Sequence, residues 1–168
     1  MSHGFSPMLA DNSCSSSVNS LVIEKPLTSL KHSELTDRII AVFYNVYNEV
    51  GFGFLESTYA EATLVALQQS GLTAVREVSV PVWFRGVKVG QYFADILVDD
   101  KILLELKSAR SLDSSHEAQL LHYLRATKIE VGLLLNFGTR PQFRRLIFDN
   151  DRKMIRVDPC KSVAKVSV

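Results

Sequence analysis

Apolar residues recur at helical spacing once the chain reaches Ser33. Ile39, Phe43, Val46 and Val50 line one face, with Ile40 and Tyr47 beside them, and predict an amphipathic helix. Ser33 or Thr36 is placed to cap it, with Glu34 and Asp37 in the first turn, and Gly51-Phe52-Gly53 ends it. A second helix is predicted from about 54 to 70, stopped by Gly71. The period then changes from 3.6 to 2. In REVSVPVWF (76–84), Val78, Val80, Val82 and Phe84 alternate with Glu77, Ser79, Pro81 and Trp83. Pro81 makes this an edge strand or the site of a bulge. Residues 85–88 read as a turn, two strands follow near 89–98 and 102–108, and a helix spans about 113 to 127. VGLLLNF (131–137) is the near-continuous apolar run of a strand buried on both faces. FRRLIFD (143–149) closes the folded part as a strand, with MIRV (154–157) as a further candidate. The order is α-α-β-β-β-α-β: an α/β domain with a mixed β-sheet flanked by helices.

Residues 1–32 break this pattern. NSCSSSVNS (12–20) is polar and without period, so it has little apolar surface to offset the entropy of ordering. The expected organisation is a disordered leader (1–32), one folded domain (33–150) and a C-terminal extension (151–168). At 168 residues the chain builds one proper core, and 46% hydrophobic with 22% charged residues is ordinary for a globular protein. No apolar run nears the roughly 20 residues that span a bilayer. No Lys or Arg precedes Lys25, which argues against a secretory signal and against an Arg-rich transit peptide. The expected address is the cytoplasm.

The two cysteines, Cys14 and Cys160, have no CxxC partner, so no four-thiolate zinc or iron–sulfur site is expected. Net charge is +1, but residues 1–100 carry 6 Lys+Arg against 11 Asp+Glu, and residues 101–168 carry 13 against 7. That basic half either meets a phosphate backbone or is a solvated surface balanced by the other half. Its candidates for phosphate contact are Arg110, Arg125, Lys128, Arg140, Arg144 and Arg145.

Chemistry enters with YFADILVDDKILLELKS (92–108), where Asp95, Glu105 and Lys107 interrupt two strands. Lone buried charges cost several kcal/mol, on the order of what a small domain has to spare, so they need partners or a purpose. Glu105 and Lys107, two apart, leave the same strand face. A two-residue turn at Asp99-Asp100 would put Asp95 opposite Leu104, on the other face. A three-residue loop, 99–101, pairs Asp95 with Glu105 and aligns all three charges. Aligned carboxylates repel, and a hard divalent cation such as Mg²⁺ or Mn²⁺ compensates them; a buried salt-bridge network is the alternative. GFLESTY (53–59) adds Gly53, Glu56 and Tyr59 at a helix start, and HEAQLLHYL (116–124) puts Gln119 and Tyr123 on one helix face, with His116 at i−3.

Together, Glu56, Asp95, Glu105-Leu106-Lys107 and Gln119-Leu-Leu-His-Tyr123 resemble the motifs of the PD-(D/E)XK nuclease superfamily. More narrowly, the chain resembles the small bacterial GxxExxY proteins from about Glu34 to Asn150, through NEVGFGFLESTY, ADILVDDKILLELKS and HEAQLLHYLRATKIEVGLLLNFG. The resemblance implies a restriction-endonuclease-like core and a metal-dependent nuclease acting on nucleic acid, DNA before RNA. Asp95, Glu105 and the Leu106 carbonyl would hold Mg²⁺ or Mn²⁺, Glu56 would complete the site, and Lys107 would serve the attacking water. Gln119 and Tyr123 match the Q-x-x-x-Y motif of an exonuclease branch, some members of which carry an iron–sulfur cluster that this chain has no cysteines to hold. Two positions depart from the pattern: Phe52 stands where the GxxExxY proteins often have Pro, and Ala94 precedes Asp95 in place of Pro. The competing expectation is a non-catalytic nucleic-acid- or protein-binding module that keeps the fold. A domain of this size also leaves room for action as a homodimer or with a larger partner.

Overall fold

The computed structural model describes residues 30–153. Helix α1 spans Ser33–Val50 and α2 spans Glu56–Gln69; strands β1 (Ala74–Phe84), β2 (Val87–Val98) and β3 (Ile102–Lys107) follow. Helix α3 (Ser114–Ala126) leads to β4 (Val131–Asn136), β5 (Gln142–Ile147) and a 3-10 turn, Asn150–Arg152. Most of the expected leader and the expected strand at 154–157 lie outside the described residues. Among the described residues no helix is long and apolar enough to cross a membrane.

The strands form one sheet in the order β1-β2-β3-β4-β5. Every neighbouring pair is antiparallel except β3 and β4, which are parallel. Parallel neighbours need a crossover, and α3 supplies it. The sheet is covered on both faces. Ile39, Phe43, Tyr59 and Leu67 of α1 and α2 pack with Ile102, Leu104, Leu106, Leu133 and Leu135. On the other face Leu120, Tyr123 and Leu124 of α3 meet Leu103 and Leu134. That is why β3 and β4 read as unbroken apolar runs, each buried Leu or Ile contributing roughly 1.5–3 kcal/mol.

β1 lies at a sheet edge, as Pro81 predicts, and its register with β2 also shifts at Val82/Trp83. The β1–β2 pair changes faces part-way. Ala74, Ile96 and Val98 belong to the α1/α2 core, whereas Val80 and Ala94 pack against α3. Ala94 and Ile96 share parity, so the ribbon must twist between them. Glu77, across from Asp95, takes a left-handed conformation there (φ 54°). Such irregularities re-aim side chains.

One boundary differs in kind from expectation. Neither Ser33 nor Thr36 caps α1. The chain enters through a turn in which Ser33 N–H bonds the Leu30 carbonyl, so the cap falls on His32, itself left-handed and without a side-chain cap bond. Thr36 is already inside the helix, and its hydroxyl is buried without a hydrogen-bond partner among the described residues.

Candidate active site

The alignment of charges rests on the β2–β3 loop. Val98 pairs with Ile102, leaving Asp99, Asp100 and Lys101 as the three-residue loop that the aligned arrangement requires. Asp99 and Asp100 both adopt positive φ, a conformation Asp tolerates better than most residues, and the Lys101 N–H closes on the Val98 carbonyl at 2.9 Å. From Val98↔Ile102 the ladder runs through Leu97↔Leu103 to Ile96↔Leu104. One step further along the same register sets Asp95 opposite Glu105. There the strands part, and the Asp95 carboxylate takes over as acceptor: Leu106 N–H donates to its Oδ2 at 2.6 Å.

Glu105 is the most demanding group in the fold. It is 2% exposed, and Lys107 Nζ donates to its Oε1 at 2.7 Å. Its Oε2 is buried without a hydrogen-bond partner among the described residues. Burial, then the Asp95 charge, pushes the Glu105 carboxyl up to about 7, against the opposing pull of Lys107. Asp95 is also raised by burial, although the Leu106 N–H works against the shift. Burial acts to lower Lys107, but the Glu105 hydrogen bond and the surrounding carboxylates outweigh it, and the ammonium is held above its usual range.

Glu56 reaches the same corner from the first residue of α2, where Ser108 N–H donates to its Oε1 at 3.2 Å. The site thus gathers three carboxylates against one ammonium. Helix α3 faces it with Gln119 and Tyr123, joined by a 2.7 Å bond from Gln119 Nε2 to Tyr123 Oη. Burial raises the Tyr123 hydroxyl, and the Glu105 and Asp95 charges add to that. His116 has a structural role: with Asp113 it forms the capping box that starts α3, accepting the Asp113 N–H on Nδ1.

The donor chemistry suits a hard divalent cation. Glu105 Oε2 is a carboxyl oxygen lacking a partner among the described residues, Asp95 lies across from it, and the Leu106 carbonyl follows in sequence. Among the described residues, no three His, Cys, Asp or Glu side chains form a ready-made ligand cluster. Glu105 Oε1 is turned to Lys107, and Glu56 to Ser108. Mg²⁺ needs only one or two protein carboxylates, filling its other positions with water and phosphate oxygens.

Residues 33–146 match the PD-(D/E)XK nuclease superfamily. The chain belongs to that superfamily. None of the curated proteins matches the chain in sequence. Among solved structures it is similar to the crystal structure of SSO0001, at 18% identity and a TM-score of 0.47, covering 70% of this chain and 60% of that one. It is also similar to Archaeoglobus fulgidus Hjc, a Holliday junction resolvase from an archaeal hyperthermophile, at 18% identity and a TM-score of 0.35, covering 54% of this chain and 75% of that one.

Other residues hold the loops around the site in place. Tyr59 is fully buried and stacked on Phe137 at 4.4 Å; its hydroxyl donates to the Gly51 carbonyl and accepts the Phe54 N–H. It fixes the loop in which Gly53 (φ 107°) takes a conformation open to glycine, so the G-x-x-E-x-x-Y spacing holds Glu56 in place. Asn136, also fully buried, clamps Ala109 with two 2.9 Å bonds, one to its N–H and one to its carbonyl. That clamp sets the path of the chain leaving Lys107. Gly138 completes it, since a Cβ there would meet the Ala109 carbonyl.

The basic candidates divide. Arg125 lies over the Phe148 ring, Arg144 pairs with Glu117 at 3.5 Å, and an Arg145 Nη donates to the Lys31 carbonyl. Arg110, Lys128 and Arg140 are exposed and make no ion pair among the described residues.

Proposed function

We propose that the chain is a cytoplasmic nuclease of the GxxExxY type, hydrolysing phosphodiester bonds of nucleic acid, DNA ahead of RNA, with the help of Mg²⁺ or Mn²⁺. The observation that carries this reading is the buried Glu105 carboxylate, its Oε2 unpartnered beside Asp95 and Lys107 in a chain of this superfamily. A charge kept there at the expense of stability is the mark of a site built for chemistry.

A cation held by Asp95, Glu105, Glu56 and the Leu106 carbonyl would supply Lewis acidity and a more acidic attacking water. The protein's own part is positional and electrostatic. Lys107, tethered to Glu105, holds its ammonium where it orients the water and offsets charge growing on the phosphate. Tyr123 Oη accepts from Gln119, which leaves its proton free to donate to a phosphate oxygen. Arg110, Lys128 and Arg140 are the side chains free to meet the phosphate backbone, a contact that fixes position without reading sequence.

The test is cleavage of labelled single- and double-stranded DNA and of RNA in Mg²⁺, in Mn²⁺ and in chelator. Activity should vanish with chelator and fall at least about 100-fold in Glu105→Gln and Asp95→Ala, the loss expected for one charge-stabilising group. The second reading, a binding module without catalysis, is favoured by the closed Lys107–Glu105 pair and by the lack of a preformed ligand cluster among the described residues. Binding without cleavage of any of these substrates in either metal would establish it.

A further inference from the structure

Next to the carboxylates lies an open pocket of about 540 Å³, lined by Phe52, Phe54, Ser108, Arg110, Phe137 and Thr139. This is within the roughly 300–1,000 Å³ typical of small-ligand sites. Its mouth carries two aromatic rings in water: Phe52 is 62% and Phe54 52% exposed. Exposed apolar groups gathered around a concavity mark a binding surface more often than chance exposure.

We propose that this pocket takes an unpaired nucleobase of the substrate, directly beside the scissile phosphate, and that the substrate class is therefore single-stranded, frayed or flapped nucleic acid. The inference deepens the nuclease reading and rests on it. Three observations carry it. The pocket is continuous with the site, because Ser108 on its wall follows Lys107 and gives its N–H to Glu56. The backbone of the aromatic loop is held at Gly51 and Phe54 by one buried hydroxyl, that of Tyr59, which limits the backbone entropy that stacking there loses. And the rim is cationic: Arg110 is exposed, makes no ion pair among the described residues, and can meet a phosphate while the rings meet a base.

A flat π-face flanked by charge fits a nucleotide better than an aliphatic ligand, and stacking on aromatics is indifferent to sequence. A base inside a duplex has both faces covered by its neighbours and must leave the stack before it can enter. Single-stranded DNA and RNA share this chemistry, and the assay separates them.

The experiment uses the full chain in chelator, so that nothing is cut. Fluorescence anisotropy follows binding of a labelled 15-nucleotide DNA strand, the same RNA strand and the blunt DNA duplex. The single strand should bind more tightly than the duplex. Phe52→Ala and Phe54→Ala should each weaken single-strand binding about 5- to 100-fold, the range for losing one stacked base, and leave duplex binding unchanged. Arg110→Ala should weaken both and flatten their salt dependence. Thermal melting checks each fold; should Phe54→Ala unfold through its contact with Tyr59, Phe52→Ala decides alone. Unchanged single-strand affinity in Phe52→Ala overturns the inference. A parallel cleavage assay in Mg²⁺ separates the two claims. Cleavage with an indifferent Phe52 sinks the pocket and leaves the nuclease. Phe52-dependent binding with no cleavage of any strand sinks the nuclease and leaves the pocket.

Discussion

Replacing Glu105 by Gln should stabilise the metal-free protein at alkaline pH and leave it unchanged in acid. The native carboxyl titrates at about 7, against 4.5 in an ordinary environment. Between those values the folded state holds more protons than the unfolded chain, so stability falls as pH rises. The favourable contribution is complete below about pH 4.5 and lost above about 7. One proton over that interval, at 1.36 kcal/mol per pH unit, amounts to about 3 kcal/mol. Glu105 is 2% exposed, so water screens little of this. Asp95, raised by burial, tilts wild type the same way. Lys107 loses its Glu105 partner in the variant but keeps Glu56 and Asp95 as neighbouring charges, so it is not stranded as a lone buried ion. Urea melts of both proteins in chelator, from pH 4.5 to 8.5, read the difference directly. It should grow from near zero to about 2–3 kcal/mol in favour of Glu105→Gln. A difference that is flat across the range, or a variant less stable than wild type at pH 8, would refute the reasoning.

Substitutions at three further positions test the frame around the site. Tyr59→Phe keeps the ring and its stack on Phe137 but strands the Gly51 carbonyl and the Phe54 N–H; it should cost about 1–2 kcal/mol in a urea melt. Gly53→Ala meets no atom within 4 Å, so its whole cost is the φ of 107°, about 1–3 kcal/mol, and Gly53→Asn should behave no better. Asn136→Ala unpairs both backbone groups of Ala109 and should cost about 2–4 kcal/mol, with faster amide exchange confined first to 108–110.

How much of this was legible depended on whether a feature had a period. The helices and the alternating edge strand announced themselves because burial on one face imposes a spacing, and Val131–Asn136 because burial on both faces leaves an unbroken apolar run. So did the face shared by Glu105 and Lys107; the three-residue loop at 99–101 was the condition for Asp95 to join them, and the observed register meets it. The α1 cap did not, because a turn at Leu30–Ser33 moved the helix start onto a residue with no capping signature. Tyr59 belongs to the G-x-x-E-x-x-Y spacing, but nothing in a spacing says that the buried ring carries a hydroxyl to a loop eight residues back. Asn136 was hidden in an apolar run, although a lone amide among leucines is itself a signal that some backbone group needs a partner. The twist at Glu77, which hands the strand pair from one core to the other, is set by tertiary packing and leaves no local trace.

The cation site proposed on the charges of YFADILVDDKILLELKS is open to direct measurement. A calorimetric titration of the full chain with Mn²⁺ at pH 8, with and without a short DNA strand, tests it most directly. Wild type should bind one ion, more tightly with DNA present because phosphate oxygens complete the coordination, and Glu105→Gln should bind at least about tenfold more weakly. Wild type that takes up no Mn²⁺ at millimolar concentration under either condition, or a variant that binds as well as wild type, would contradict the account.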